Sequence, residues 1–276
     1  MRVTSIANFK GGTGKTATAV NLAAYLAEAG YRVLLIDADP QHNATDFYGP
    51  LRDGASSLYD VLTGETAGAP WCNVVEPTDR ENVFLLGADM RLLTLDLSAI
   101  INGVNAALPR MADLIEALRW DTAVDFVLID CPPSFTAASV AALTEADDVI
   151  LPTRADAWSR AGVLDMAEQV RSLGRRTGAR PVCRVLVTMA DRTNLSRQAA
   201  EELSELGLAA FRTRIRATVA VGESSYARRP LIDYAPTCSA ARDYDALAQE
   251  YLQLAEEGER PDEDVRPYAE GGRGDG

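Results

Sequence analysis

The run Lys10-Gly11-Gly12-Thr13-Gly14-Lys15-Thr16 has the residue types that hold nucleotide phosphates. Gly11, Gly12 and Gly14 let the backbone curl until successive N–H groups point at phosphate oxygens. Lys15 can then reach the β- and γ-phosphates, and the Thr16 hydroxyl can ligate Mg²⁺. Residues 2–7 read as a short apolar strand and residues 15–29 as an amphipathic helix. The glycine run therefore falls on a strand-to-helix turn, where a phosphate-binding loop must sit. The strict G-x-x-x-x-G-K-[ST] spacing fails, because Phe9 stands where its first glycine belongs and a second lysine, Lys10, opens the loop.

Two further segments bring carboxylates. Residues 32–36 form an apolar run followed by Asp37-Ala38-Asp39-Pro40-Gln41-His42-Asn43-Ala44-Thr45, and acids at the carboxyl end of a parallel strand lie where ligands bind in open α/β sheets. A carboxylate there can orient an attacking water in line with a leaving phosphate oxygen. Asp39 before Pro40 also suits a plain turn or helix cap, and His42 reads as an exposed loop residue. Residues 126–129 form a second apolar strand ending in Asp130, followed by Cys131-Pro132-Pro133-Ser134. This is a Walker B arrangement, in which Asp130 holds Mg²⁺ through its water ligands. A hydrophobic strand ending in Asp is common, and the assignment gains its force from Lys15 and Thr16.

The elements that must position these groups follow from the apolar pattern. Runs at 4–7, 32–36, 82–86, 126–129, 149–151 and 182–187 alternate with helical stretches, as βαβ units do around a parallel sheet. The expected architecture is a doubly wound α/β fold with a mostly parallel sheet. With 276 residues and 47% hydrophobic content the chain can bury a full core, read as one domain over residues 1–255. Residues 256–276 carry eight acidic residues and three arginines among Gly and Pro, and read as a disordered acidic tail. The net charge of −13 leaves the body acidic even without that tail, so any nucleic-acid contact must come from a local arginine patch. No apolar run approaches the roughly 20 residues that cross a bilayer, and no signal region precedes the first strand, so the expected location is cytoplasmic. Cys72, Cys131, Cys183 and Cys238 form no C-x-x-C pair and read as reduced structural residues. With a single histidine, a zinc or iron–sulfur site is not expected, and Mg²⁺ is the metal anticipated.

The K-G-G-x-G-K-[ST] loop resembles the deviant Walker A motif of the ParA/MinD group of P-loop ATPases. The segment 37–45 is similar to the D-x-D-P-Q-G-N-A-T segment of ParA proteins, with His42 in place of Gly, and 129–134 to their I-D-x-P-P-S segment. The resemblance, of the ParA/Soj partition type, runs from about residue 2 to 252 and implies a SIMIBI-type P-loop fold that hydrolyses ATP with Mg²⁺. It implies nucleotide contacts from Lys10, Gly11, Gly12, Thr13, Gly14, Lys15, Thr16 and Ala17, with Thr188 and Met189 near the adenine. By the same match Lys10 reaches the phosphates of a second subunit in an ATP-dependent homodimer, Lys10 and Lys15 stabilise phosphate charge, and Asp39 orients water. Thr16 and Asp130 place Mg²⁺, with Asp37 supporting its shell.

The resemblance also implies binding to DNA without sequence preference, release triggered by a ParB-like partner, and nucleoid association during plasmid or chromosome segregation. Arg192 matches the family's D-x-R-T-N-L arginine, but the usual P-R-N triplet is replaced by Arg216-Ala217-Thr218. Arg212, Arg214 and Arg216 alternate, which would align three guanidinium groups on one face of a strand. A charged row of that kind also serves as a solvated edge that blocks aggregation, and both readings stand. Arg228 and Arg229 join this candidate group, whereas Arg171, Arg175 and Arg176 read as a solvated helix face. The chain begins at its first strand, so an N-terminal helix-turn-helix is not expected. A membrane role is not expected either, since the helix at 243–255 runs into Glu256-Glu257 and would be repelled by anionic lipid. Two rivals remain. One is a nucleotide-gated adaptor that positions a protein assembly without touching DNA. The other is a redox protein like the nitrogenase iron protein, which would need a companion for Cys131.

Overall fold

In the computed structural model, residues 1–102, 107–121, 124–154, 157–191 and 208–257 are described. The strands are β1 (Arg2–Ile6), β2 (Val33–Asp37), β3 (Glu76–Pro77), β4 (Val83–Leu86), β5 (Phe126–Asp130), β6 (Asp148–Arg154), β7 (Val182–Thr188) and β8 (Ala209–Ala210). They form one sheet in the order β3-β4-β2-β5-β1-β6-β7-β8, parallel throughout except for the β3–β4 pair. All six expected strands are present. β3 and β8 are two residues each, too short to show as a pattern.

Each central strand is buried on both faces, which explains its unbroken apolar run. Leu34 and Ile36 face one core with Val127 and Ile129, packed by α3 (Leu58–Thr63), α5 (Ala107–Asp121), α6 (Ala137–Glu145) and α7 (Ala157–Thr177). Val33 and Leu35 face the other core with Leu128, Ile150 and Leu186, packed by α1 (Lys15–Glu28) and α10 (Ser239–Glu257). The remaining helices are α2 (Asn43–Tyr48), α4 (Leu92–Asn102), α8 (Val219–Tyr226) and α9 (Leu231–Tyr234). Each fully buried Leu or Ile here contributes about 1.5–3 kcal/mol relative to exposure.

The helix expected to be amphipathic is buried nearly all round: residues 18–27 of α1 are all buried. Sheet and α10 enclose it, and α9 closes its flank. Asn21, 1% exposed, bridges the two helices: its Nδ2 donates to the Ala17 carbonyl (2.8 Å) and its Oδ1 accepts the Leu231 N–H (2.8 Å). Arg80 adds a second tie, with ion pairs to Glu28 (2.8 Å) and Asp233 (2.7 Å).

One expectation is corrected. Residues 212–216 do not form a strand, because β8 ends at Ala210. The Phe211 and Ile215 N–H groups bond the carbonyls of Val185 and Val187 (both 2.9 Å), so the chain passes four residues where β7 passes two. The surplus bulges outward, and the Glu250 carboxylate of α10 captures the N–H groups of Arg212 (2.7 Å) and Thr213 (2.9 Å). The three guanidinium groups are therefore not a strand row. Arg212 pairs with Glu250, and Arg216 forks onto Asp243. Arg192 and the tail beyond residue 257 lie outside the described residues. No described helix is long and apolar enough to cross a membrane.

Asn21→Ala leaves the buried Leu231 N–H without its acceptor and is expected to cost about 1–3 kcal/mol. A lowered urea midpoint at unchanged m value would report that loss, and an unshifted midpoint would show that this tie carries no stability.

Candidate functional site

The glycine-rich loop leaves β1 and is pinned before it turns. Asn8, 3% exposed, donates from Nδ2 to the Pro152 carbonyl at the end of β6 (2.7 Å) and accepts the Lys10 N–H on Oδ1 (2.9 Å). On its far side the loop is held by Thr188, whose hydroxyl donates to the Thr13 carbonyl (2.8 Å) and reaches the Thr153 carbonyl (3.2 Å). Gly12 (φ 70°) and Gly14 (φ 88°) occupy the left-handed region, which a side chain would strain. Gly14 also caps α1 with no side-chain partner, and the first turn of α1 holds no acid. The first N–H groups of a fourteen-residue helix thus open toward the loop, a ready anion site with the positive end of the helix dipole behind it.

Lys15 is 8% exposed and its Nζ donates to the Lys10 carbonyl (3.4 Å). Burial lowers its pKa, while Asp130 and Asp39 pull it back toward the charged form. Lys10 is exposed at the loop's outer edge. Thr16, at the second position of α1, is half-buried.

The carboxylates meet because β5 lies between β1 and β2. Parallel register places Asp37 directly opposite Asp130, and Ile6 on the other side of Asp130. Asp37 is fully buried and well supplied. Its Oδ1 accepts the Asp39 N–H (3.0 Å), and its Oδ2 accepts both the N–H and the hydroxyl of Thr45 (2.8 Å each). Asp130 is 1% exposed, and no described residue makes a hydrogen bond of good geometry to either of its carboxylate oxygens. Burial raises its pKa well above the ordinary range, Asp37 adds to this, and the nearby Thr16 hydroxyl and Lys15 charge offset part of it. Burial likewise raises Asp37, against the lowering effect of its donors.

An orphaned, buried carboxylate beside Thr16 and Lys15 fits a bound cation with its water shell. Among the described residues no group of three or more His, Cys, Asp or Glu could hold a metal by itself. The fit is therefore to Mg²⁺ carried with phosphates, the mode in which that ion keeps several waters. Asp130 is the residue left open for it. Asp37 has its oxygens engaged by the chain.

Asp39, 9% exposed, accepts the Gln41 N–H on Oδ1 (2.9 Å), so one oxygen serves the turn anticipated before Pro40. His42 adopts φ 47°, a backbone shape that Gly takes without cost, and its Nδ1 lies 3.5 Å from Asp46. Thr188 is buried and spends its hydroxyl on the phosphate loop. Met189 follows with φ 50° and 42% exposure, beside the segment where Ala190 and Ala217 exchange backbone bonds with 215 and 190. Cys131 is buried, its thiol pKa is raised by burial, and none of the four cysteines is in a disulfide.

Sequence reasoning missed the anchoring roles of Asn8, Thr45 and Thr188. Their signal is a polar residue beside a motif in an otherwise buried stretch, and spacing does not distinguish it from a solvated loop residue. Among the arginines, Arg214 and Arg228 have no carboxylate within ion-pair distance among the described residues, and Arg229 donates to the Asp233 carbonyl (3.0 Å).

Comparison with known proteins finds relatives over most of the chain. Residues 1–180 match the profile of a family described as an AAA domain. The chromosome partitioning protein ParA of Caulobacter vibrioides (strain NA1000 / CB15N) is 35% identical over 256 residues, covering 91% of this chain and 94% of its own. The chromosome-partitioning ATPase Soj of Thermus thermophilus is 36% identical over 262 residues, covering 93% and 98%. Among solved structures, cobyrinic acid a,c-diamide synthase from Mycobacterium smegmatis with bound ADP and magnesium superposes with a TM-score of 0.74 at 28% identity, over 95% of this chain and 98% of that one. The cell division ATPase MinD of Pyrococcus furiosus shares the fold at 24% identity, with a TM-score of 0.73 over 92% and 99%.

The buried acids generate a pH dependence. Asp37 and Asp130 keep their protons to higher pH in the folded chain than in the unfolded one. Above about pH 4 the folded state therefore binds more protons, and its stability falls as pH rises. Asp130→Asn is expected to flatten that fall and to raise the melting temperature of the nucleotide-free protein at about pH 8. Melts from about pH 5 to 8 test this, and a variant less stable than wild type at every pH would contradict the assignment of Asp130 as a buried acid that the chain only partly compensates.

Proposed function

Since this chain belongs to the ParA/Soj family of partition ATPases, we propose that it binds ATP with Mg²⁺, dimerises in that state and hydrolyses ATP slowly by itself. The observation that carries this reading is the orphaned Asp130 carboxylate set beside Lys15, Thr16 and the open N-terminus of α1. When bound, Mg²⁺ neutralises phosphate charge. Gly11 to Ala17 hold the phosphates through backbone N–H groups, and Lys15 adds its charge from inside the loop. Thr16 and Asp130 hold the metal and its waters. Asp39 orients the attacking water with the oxygen not committed to its turn. Lys10, exposed at the edge, reaches the phosphates of a second subunit, and Met189 with the adjoining 216–219 segment flanks the base.

The ATP dimer grips DNA without sequence preference, and a ParB-like protein triggers hydrolysis and release. That cycle segregates plasmid or chromosomal cargo. Arg214, Arg228 and Arg229 are the contacts favoured, because they are not neutralised by a carboxylate in the way that Arg212 and Arg216 are. Those same two ion pairs favour a second reading, a nucleotide-gated adaptor that positions a protein assembly without DNA, since they remove two of the cations anticipated for phosphate contact.

Asp39→Ala is expected to lower turnover by about 10²-fold or more while leaving the ATP-dependent dimer intact. Unchanged phosphate release would remove Asp39 from the mechanism. In that trapped state, binding to unrelated duplexes titrated over salt separates the two readings. Binding with ATP only, indifferent to sequence and weakened by salt, supports partition, whereas an ATP dimer that ignores DNA supports the adaptor. Lys10→Ala is expected to keep nucleotide binding and lose the dimer in light scattering; a normal dimer would contradict the role of Lys10.

A further inference from the structure

The hydrolytic reading places the demanding geometry on Asp39, yet Asp39 stands on a loop. It lies between the last residue of β2, Asp37, and the first residue of α2, Asn43, and α2 is only six residues long. Within the loop, the ties are short-range: His42 N–H to the Asp39 carbonyl (2.8 Å) and Gln41 N–H to the Asp39 carboxylate (2.9 Å). Ala38 N–H bonds the Asp130 carbonyl (2.9 Å), which fixes the loop's first residue to β5. These contacts shape the loop but do not secure its far end to the sheet.

That end is secured by a buried relay. The Ala88 N–H, two residues past β4, donates to Thr45 Oγ1 (2.9 Å). The Thr45 hydroxyl donates in turn to Asp37 Oδ2 (2.8 Å), which also takes the Thr45 N–H (2.8 Å). Asp37 Oδ1 then accepts the Asp39 N–H (3.0 Å). One carboxylate thus grips both ends of the loop, and one hydroxyl joins that carboxylate to the neighbouring strand. Asp37, Thr45 and Ala88 are 0, 2 and 2% exposed, so water does not compete for these bonds.

The threonine methyl also has a place. A Cβ at Gly87 would come within 2.9 Å of Thr45 Cγ2 and 2.7 Å of Leu51 Cδ2. The bare backbone at Gly87 therefore admits the methyl and, with a β-branched side chain, holds the rotamer that aims Oγ1 between Ala88 and Asp37. Valine fills this space but has neither donor nor acceptor. Serine keeps both and gives up only the methyl.

From this relay we infer that Thr45 is a positioning residue for ATP hydrolysis, setting Asp39 through Asp37 while touching neither nucleotide nor water. The inference rests on the reading of Asp39 as the group that orients water.

The experiment compares steady-state ATP turnover and Mg²⁺-ATP affinity in the full chain for Thr45→Val, Thr45→Ser, Asp39→Ala and the Thr45→Val/Asp39→Ala double variant. Misplacement by about 1 Å can cost about 100-fold, so Thr45→Val is expected to lower kcat by about 10- to 100-fold while ATP affinity changes little. Thr45→Ser is expected to recover most of that loss. In the Asp39→Ala background, Thr45→Val should add no further loss, because its effect passes through a carboxylate already removed. If Asp39→Ala leaves turnover unchanged, the reading of Asp39 fails. If Asp39→Ala abolishes turnover while Thr45→Val matches wild type, or if Thr45→Val lowers both backgrounds by the same factor, the Thr45 inference alone is overturned. Should Thr45→Val not fold, Gly87→Ala displaces the Thr45 methyl from the opposite side and is expected to give the same loss of kcat without loss of ATP affinity; an unaltered kcat there overturns the inference.

Discussion

Two aspartates forced side by side in a water-free place organise this molecule. Parallel register sets Asp37 on β2 against Asp130 on β5, both essentially inaccessible to solvent. Like charges at that spacing and burial cannot both persist without compensation. The chain compensates them unequally: three donors converge on Asp37, and none of good geometry reaches Asp130. A structure whose only aim was stability would have placed an apolar residue at position 130. The penalty is retained where a cation with its water shell would relieve it, which ties the cost of folding to the capacity for binding.

The sheet order follows from the same requirement. With β5 between β1 and β2, the phosphate loop and the Asp39 loop leave adjacent strands on either side of Asp130. Asn8 and Thr188 then lash the phosphate loop to the ends of β6 and β7, so five parallel strands share in holding one small site. α1 starts at that site and ends in ties to α9, through Asn21 near its middle and Arg80 at its far end. Those ties reach α9, which starts just after Arg228 and Arg229, the region proposed for DNA.

Much of this was legible in the amino-acid sequence, for physical reasons that can be named. Strands such as β2 and β5 are buried on both faces and show as unbroken apolar runs, and the phosphate loop shows because backbone curvature demands glycine. Asp130 was recognisable from its strand and its company. The segment 212–216 was misleading, because alternation of Arg with smaller residues imitates an edge strand. What breaks it is Glu250, some 40 residues downstream, whose carboxylate captures two backbone N–H groups. α1 looked amphipathic since its alanines and threonines do not announce burial, yet α10 covers the face left polar by composition. Thr45 was visible only as the last letter of a motif. Its bond to Ala88 joins positions that no local pattern relates.

The central claim is that Asp130 is relieved by Mg²⁺ bound with the nucleotide. Calorimetric titration of ATP, with Mg²⁺ and with the metal chelated, in buffers of different ionisation enthalpy, tests it most directly. The account predicts tight binding that requires Mg²⁺ and is linked to proton release wherever Asp130, whose pKa burial raises, still holds its proton in the free protein. Equal affinity with and without Mg²⁺ would contradict it.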